Sequence, residues 1–461
     1  IMMHPDLYLK WIHLLRNKAK IHENLQDFPG ALRIIDMSLA SGDDLRQKFP
    51  SGDILDTLAS LHFFLGRLHM IRDDPEPSWV QFDKAQTLLD ELQKKEPHRD
   101  LDHAFFSVSM GLANTLTQSM KFREALLTYD RIIDREERAI FQKDCQDRKD
   151  QLAMALFNKG NTLFMLKQPE KALLYVDKAI EYVTSLVNPL EQYKYESRLG
   201  MMYMNKAIIL KMAQNFAECL DCSNMAINIY TNRIVSHATD KDNELLINCY
   251  RIKSVALDEL GRREEALKTI EDTLAKYKKL VYEHGRMDLI TDFVVSLRNQ
   301  AVIYYKLGKI DESIDVYHHA VAHLKDRLRD ALNIVLVREL IETSLEMAVI
   351  FENIDNYSMA LEIYETIHRE TLSFPDNIRN ELSTEIIIIQ TSIAIACIRT
   401  GNTQTGLPLA RQSKQRLEEI IDTVRGYKNI ESLLEELNEV MASVEVSGGQ
   451  TSTSTANGGE Y

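Results

Sequence analysis

Small and large apolar side chains alternate at helical spacing through residues 156–182, ALFNKGNTLFMLKQPEKALLYVDKAIE. Leu156, Leu163 and Leu166 flank Gly160, and Leu173, Val176 and Ile180 surround Ala172 and Ala179. The spacing predicts two amphipathic helices joined by a tight turn at Lys167–Pro169, with small residues where the backbones come closest. The rest of the chain repeats the pattern. From Ala31, a step of 47 residues gives Ser78, Ala125, Ala172, Cys219, Ala266, Ser313 and Ala360, and a last step of 46 gives Gly406. Twelve residues before each lies a second small series: Ala19, Gly66, Ala113, Gly160, Ala207, Ser254, Ala301, Ala348 and Ala394. The residue after each member of the first series is always large and apolar, from Leu32 and Trp79 to Leu361 and Leu407. Nine helix–turn–helix units follow from this register.

Turn residues precede the second helices, as at Gly261, Gly308, Gly401, Asp27–Gly30 and Asp73–Pro77. Longer polar joints such as Glu96–Asp100 and His237–Asp242 separate the units. Beyond the ninth unit, residues 424–446 contain one more amphipathic helix. Its stripe is Ile430, Leu433, Leu434, Leu437 and Met441, and Glu431, Glu435, Glu436 and Glu439 form its wet side. One polar face is what a helix needs to close the end of an array. Residues 447–461 lack apolar content and read as a disordered tail.

This small/large frame resembles the tetratricopeptide repeat (TPR) over residues 3–423. Leu163 follows Gly160, Ala172 and Ala179 stand at the family's offsets, and Tyr304 or Phe351 supplies the first-helix aromatic. The usual unit is about 34 residues, whereas this one takes 47. Spacing between the small positions is intact, so the extra length extends the outer ends of the helices or the joints. That is similar to long-helix variants, with helices of ~20 residues about 30 Å long. The resemblance implies an all-α, right-handed superhelical solenoid of nine TPR-like pairs plus a C-terminal capping helix. It also implies a concave face, lined by the first helices, that binds a peptide or helix of a partner protein.

Composition narrows the partner. A net charge of −14 argues against nucleic acid or an anionic membrane, whose contacts need clustered Lys and Arg. The densest apolar patch, Ile386–Ile398, is interrupted by Gln390, Thr391 and Ser392 and is too short to span a bilayer. Five cysteines without paired spacing fit a reducing, cytoplasmic compartment. Ile1 at the start leaves open a second reading, in which the chain is the sensor or regulatory arm of a larger signalling protein with its effector domain upstream.

Chemistry-bearing motifs are sparse. Cys219 and Cys222 form a C-x-x-C without a second ligand pair, and Cys219 occupies a small-residue position, so packing explains it. His319 and His323 stand four apart beside His318 with no third ligand in sequence reach, and read as packing or solvent-facing. No phosphate loop or nucleophile turn appears, and the expectation is a non-enzymatic scaffold or adaptor without cofactor or metal. By offset from the small residue, the groove-facing positions hold Asn114, Asn158, Asn161, Asn205, Arg251, Arg298 and Asn299. An Asn amide offers both donor and acceptor to an extended backbone, and Arg binds a carboxylate bidentately. Asn161 and Asn205 resemble the asparagines of carboxylate-clamp TPR domains. Phe157 stands where a basic residue would, however, and the arginines come one and two units later. Alternatively, these asparagines satisfy helix-to-helix hydrogen bonds within the array.

Overall fold

The computed structural model describes residues 5–187, 192–237, 239–421 and 430–451. Helices alternate in pairs: α1 (Pro5–Asn24) with α2 (Phe28–Lys48), α3 (Gly52–Ile71) with α4 (Pro75–Lys95), and α5 (Asp102–Gln118) with α6 (Phe122–Gln142). Next come α7 (Gln146–Met165) with α8 (Pro169–Leu186), α9 (Gln192–Met212) with α10 (Phe216–His237), and α11 (Asp240–Glu259) with α12 (Arg263–Lys278). The last pairs are α13 (Ile290–Lys306) with α14 (Ile310–Asp330), α15 (Ile334–Asn353) with α16 (Tyr357–Ser373), and, after the short α17 (Asp376–Glu381), α18 (Ser383–Arg399) with α19 (Thr403–Ile420). A final α20 (Ile430–Thr451) follows. Most helices run 16–22 residues, so the extra length of each unit lies in the helices themselves.

Every member of both small series is buried. Where the second-helix position is serine, the contact between the series is visible directly. Ser78 Oγ donates to the Gly66 carbonyl at 2.8 Å, and Ser313 Oγ to that of Ala301 at 2.8 Å. A Cβ on Gly160 would meet Val176 Cγ2 at 2.8 Å and the Ala172 carbonyl oxygen at 3.1 Å, closer than packed atoms tolerate. Four residues after each second-helix small position, Phe82, Tyr129, Val176, Ile270, Tyr317 and Tyr364 are fully enclosed and fill the space that the small residues leave.

The turns follow their own series. Gln26, Asp73, Met120, Lys167, Gln214 and Asp355 all have φ of 58°, and Gly261, Gly308 and Gly401 have φ of 76°, 76° and 84°. All nine stand at one register position, in the left-handed region. At each, the next residue's amide reaches back to the first helix, as Gln168 does to the Leu163 carbonyl, while the turn residue bonds as Lys167 does to Phe164. This double bond pattern satisfies the end of the helix and fixes the reversal.

The chain forms two compact units, Ile1–Ile252 and Lys253–Tyr461, with the boundary inside α11. In the first, α1 touches α3, α3 touches α5 and α5 touches α7; in the second, α13 touches α15 and α15 touches α18. Among the described residues, no contact of that extent is seen between successive second helices. The first-helix layer is therefore the tighter, inner layer of each unit. Each second helix lies over the next first helix, as α2 does on α3 and α6 on α7.

At the C-terminal end, α20 packs on α18 and α19. Ile430, Leu437 and Val440 are buried, with Leu433, Leu434 and Met441 half-buried beside them. The helical backbone continues to Thr451, into the stretch read from sequence as a disordered tail, because a helix once packed propagates cheaply. Residues 424–429 and 452–461 lie outside the described residues. Among the described residues, no helix is long and apolar enough to cross a membrane.

Candidate functional site

The inner face places the sequence-predicted residues in three different situations. Asn114 stands one residue after the small position of α5, and Asn158 two residues before that of α7. Asn158 Nδ2 donates to Asn114 Oδ1 at 2.9 Å, and the Tyr129 hydroxyl donates to the same oxygen at 2.6 Å. Both lone pairs of that oxygen are used. These two asparagines tie α5, α6 and α7 together.

Asn161 and Asn205 repeat the same register one unit further on, with the same separation of 44 residues. Both are half-buried on α7 and α9, and neither side chain has a hydrogen-bond partner among the described residues. The same helices carry Met154, Phe164 and the half-exposed Met165 on α7, and Met201, Met204 and the half-exposed Met212 on α9. Thioether side chains are flexible and polarisable, so such a bed moulds to varied apolar partners.

The lysines beside this face are already committed. Lys159 is buried, pairs with Asp130 of α6, and donates to the Tyr175 hydroxyl at 2.8 Å. Lys206 repeats the arrangement with Asp177 of α8 at 2.9 Å and adds Glu218 at 2.9 Å. Burial pulls the Lys206 ammonium down, but the two carboxylates outweigh it and hold its pKa above the ordinary lysine value. Lys211, in the last turn of α9, differs. Burial and then the neighbouring Arg251 guanidinium hold its pKa below the ordinary value, and it has no carboxylate partner among the described residues. Arg251 itself is half-buried and donates to Asn248 Oδ1 at 3.3 Å.

In the second unit, Arg298 is buried and encircled by glutamates of α15. Nη1 reaches Glu339 at 3.0 Å, Nε reaches Glu346 at 2.9 Å, and Nη2 pairs with Glu342 at 2.9 Å. The Tyr317 hydroxyl also donates to Glu346 at 3.3 Å. Arg298 thus binds carboxylates, as its chemistry predicts, but those of its own chain. Asn299 beside it is half-buried and has no hydrogen-bond partner among the described residues.

The remaining candidates are structural. Burial pushes the Cys219 and Cys222 thiols up to about 11, which suppresses thiolate chemistry. No group of three or more His, Cys, Asp or Glu among the described residues is arranged to hold a metal. His323 accepts or donates at 2.6 Å to the Tyr282 hydroxyl and packs edge-on against Phe293. Sequence reasoning missed Lys211 and the methionines. The run GMMYMN at 200–205 was the readable signal for the latter.

The nine-fold register, buried throughout, decides the repeat class. The fold is a TPR-like helical repeat. No protein-family model matches the chain, and no curated protein matches it in sequence. Among solved structures, it is similar to aspartyl phosphate phosphatase F from Bacillus subtilis at 14% identity, covering 90% of this chain and 94% of that one with a TM-score of 0.47. The apo form of RapI gives 12% identity over 68% of this chain and 99% of that one, TM-score 0.47. A putative kinesin light chain from Podosopora anserina with nearly identical TPR-like repeats gives 15% identity over 50% and 99%, TM-score 0.38. Likenesses at this level carry no argument about ligand or activity.

Proposed function

We propose that the chain is a protein-interaction scaffold whose first unit binds an extended peptide segment across α7 and α9. One observation carries the reading. Asn161 and Asn205 are half-buried amides without hydrogen-bond partners among the described residues, at the register where Asn114 and Asn158 are bonded to each other. A half-buried polar group gains from any partner that replaces lost water. An extended backbone supplies alternating N–H and C=O groups that suit an amide on each helix. Apolar side chains of the peptide bed on Met154, Met201 and Met204. A carboxylate in the segment, placed toward Lys211, would restore that ammonium to its ordinary range.

A library of displayed peptides panned against the full chain tests this. Binders should lose at least tenfold in affinity with Asn161→Ala/Asn205→Ala, measured by calorimetry, and lose nothing with Asn299→Ala in the second unit. Equal affinities for wild type and the double variant would sink the proposal, as would a library that yields no binder.

A further inference from the structure

Two cavities occupy the same place in the repeat, one in each compact unit. One, of about 240 Å³, is lined by α4, α5 and α6; the other, of about 210 Å³, is lined by α14, α15 and α16. They follow from the packing. First helices touch first helices, whereas successive second helices show no contact of that extent among the described residues, so a furrow is left between the latter.

What crosses the furrow differs. Lys325, twelve residues after Ser313, pairs with Glu370, ten after Ala360, and ties α14 to α16. The same positions on α4 and α6 hold Asp90 and Arg135, again of opposite charge. Here the tie is not made. Arg135 donates instead to Asp102 of α5 at 2.7 Å and lies over the Phe105 ring at 4.1 Å.

Two charges of this furrow are therefore left over. Asp90 is exposed, and among the described residues its hydrogen bonding is limited to the Gln86 amide at 3.5 Å. Arg131, on the facing helix, is exposed and has no carboxylate partner among the described residues. The remaining acid, Glu136, is buried and takes Arg148 on its two oxygens at 3.1 and 2.9 Å. Phe105, Phe106 and Leu112 supply an apolar floor.

An apolar cavity with one unmatched charge of each sign suits a guest that carries both. Sites for drug-sized ligands run to ~300–1,000 Å³, so a guest of this cavity is smaller. A carboxylate pairs bidentately with a guanidinium, an ammonium answers Asp90, and a ring gains from edge or offset contact with Phe106. A guest with a single charge would leave one wall unanswered.

We propose that the furrow between α4 and α6 binds a free aromatic α-amino acid, its ammonium against Asp90 and its carboxylate against Arg131. The site is separate from the α7–α9 face and does not rest on peptide binding there.

Calorimetric titration of the full chain with L-phenylalanine should give saturable heat. Phenethylamine lacks the carboxylate and 3-phenylpropionate lacks the ammonium, so each should bind at least tenfold more weakly. Arg131→Ala should erase the preference over phenethylamine, and Asp90→Asn the preference over 3-phenylpropionate. Both positions are exposed, and an unchanged urea midpoint would verify that the variants are folded. The proposal is overturned if L-phenylalanine gives no heat, or if its affinity is unchanged in either variant. Equally tight binding of N-acetyl-L-phenylalaninamide, which carries neither charge, would also overturn it by assigning the furrow to a side chain of a partner protein.

Discussion

The inner faces of the two units put polar side chains in the same layer and treat them in opposite ways. In the first unit, Asn161 on α7 and Asn205 on α9 have no hydrogen-bond partner among the described residues. In the second, Arg298 looks across to α15 and finds Glu339, Glu342 and Glu346. Asn161 and Asn205 keep hydrogen-bonding capacity for something else; Arg298 spends its own within the chain. For Arg298, what decides is the residue 41 to 48 positions further on, where the next first helix passes. A polar residue on a repeat's inner face therefore has no fixed role until its neighbour one unit away is known.

The largest test of that contrast is Arg298→Ala. It leaves the half-buried Glu339 close to Glu346 without the guanidinium that both share. Removing one partner of a buried ionic group costs about 3–5 kcal/mol; partial exposure of Glu342 and Glu346 places this case near 3. Urea unfolding should show the loss, and peptide binding at the first unit should be untouched. A loss under 1 kcal/mol would mean that the cluster is not what holds α13 to α15.

Gly160→Leu attacks the support beneath Asn161. Its side chain would be driven into Val176 and the Ala172 carbonyl, and overpacking of this kind costs ~1–3 kcal/mol. An unchanged melting transition would show that the two helices do not approach as described.

A finer test compares the two asparagine pairs. Asn114→Ala strands the Tyr129 hydroxyl and the Asn158 amide, and should cost about 1–2 kcal/mol of stability. Asn161→Ala breaks no bond within the described residues and should stay within ~0.5 kcal/mol of wild type. Chemical denaturation of both variants side by side reads the difference directly. If the two lose equally, the pairs are not distinct.

The smallest effect is expected at the turns. Met120 is exposed and holds φ of 58°, a conformation that strains an L-residue by roughly 1 kcal/mol or more. Met120→Gly should raise stability by ~0.5–1 kcal/mol after glycine's larger unfolded-state entropy is subtracted. A lower midpoint in urea would indicate that the Met120 side chain makes contacts that outweigh the strain.

Small residues announced the fold because close backbone approach admits little else, and Gly160, Ala172 and their equivalents are all buried as that requires. The nine turn residues, by contrast, were mostly hidden. Only Gly261, Gly308 and Gly401 are of the type that advertises positive φ. At Gln26 or Lys167 the backbone bonds hold the conformation whatever the side chain. The buried Lys159 and the half-buried Lys206 were likewise unreadable, since their counter-ions sit on a different helix.

The periodicity by itself determined the helix pairs, their number, and the residues at each intra-pair contact. Those follow from interactions within some 20 residues, which a repeated pattern records faithfully. Only the stacked structure decided that Asn114 and Asn158 are bonded and that Arg298 is neutralised. Each of these depends on which side chain arrives from the adjoining unit. Residue type at one position carries no information about that arrival.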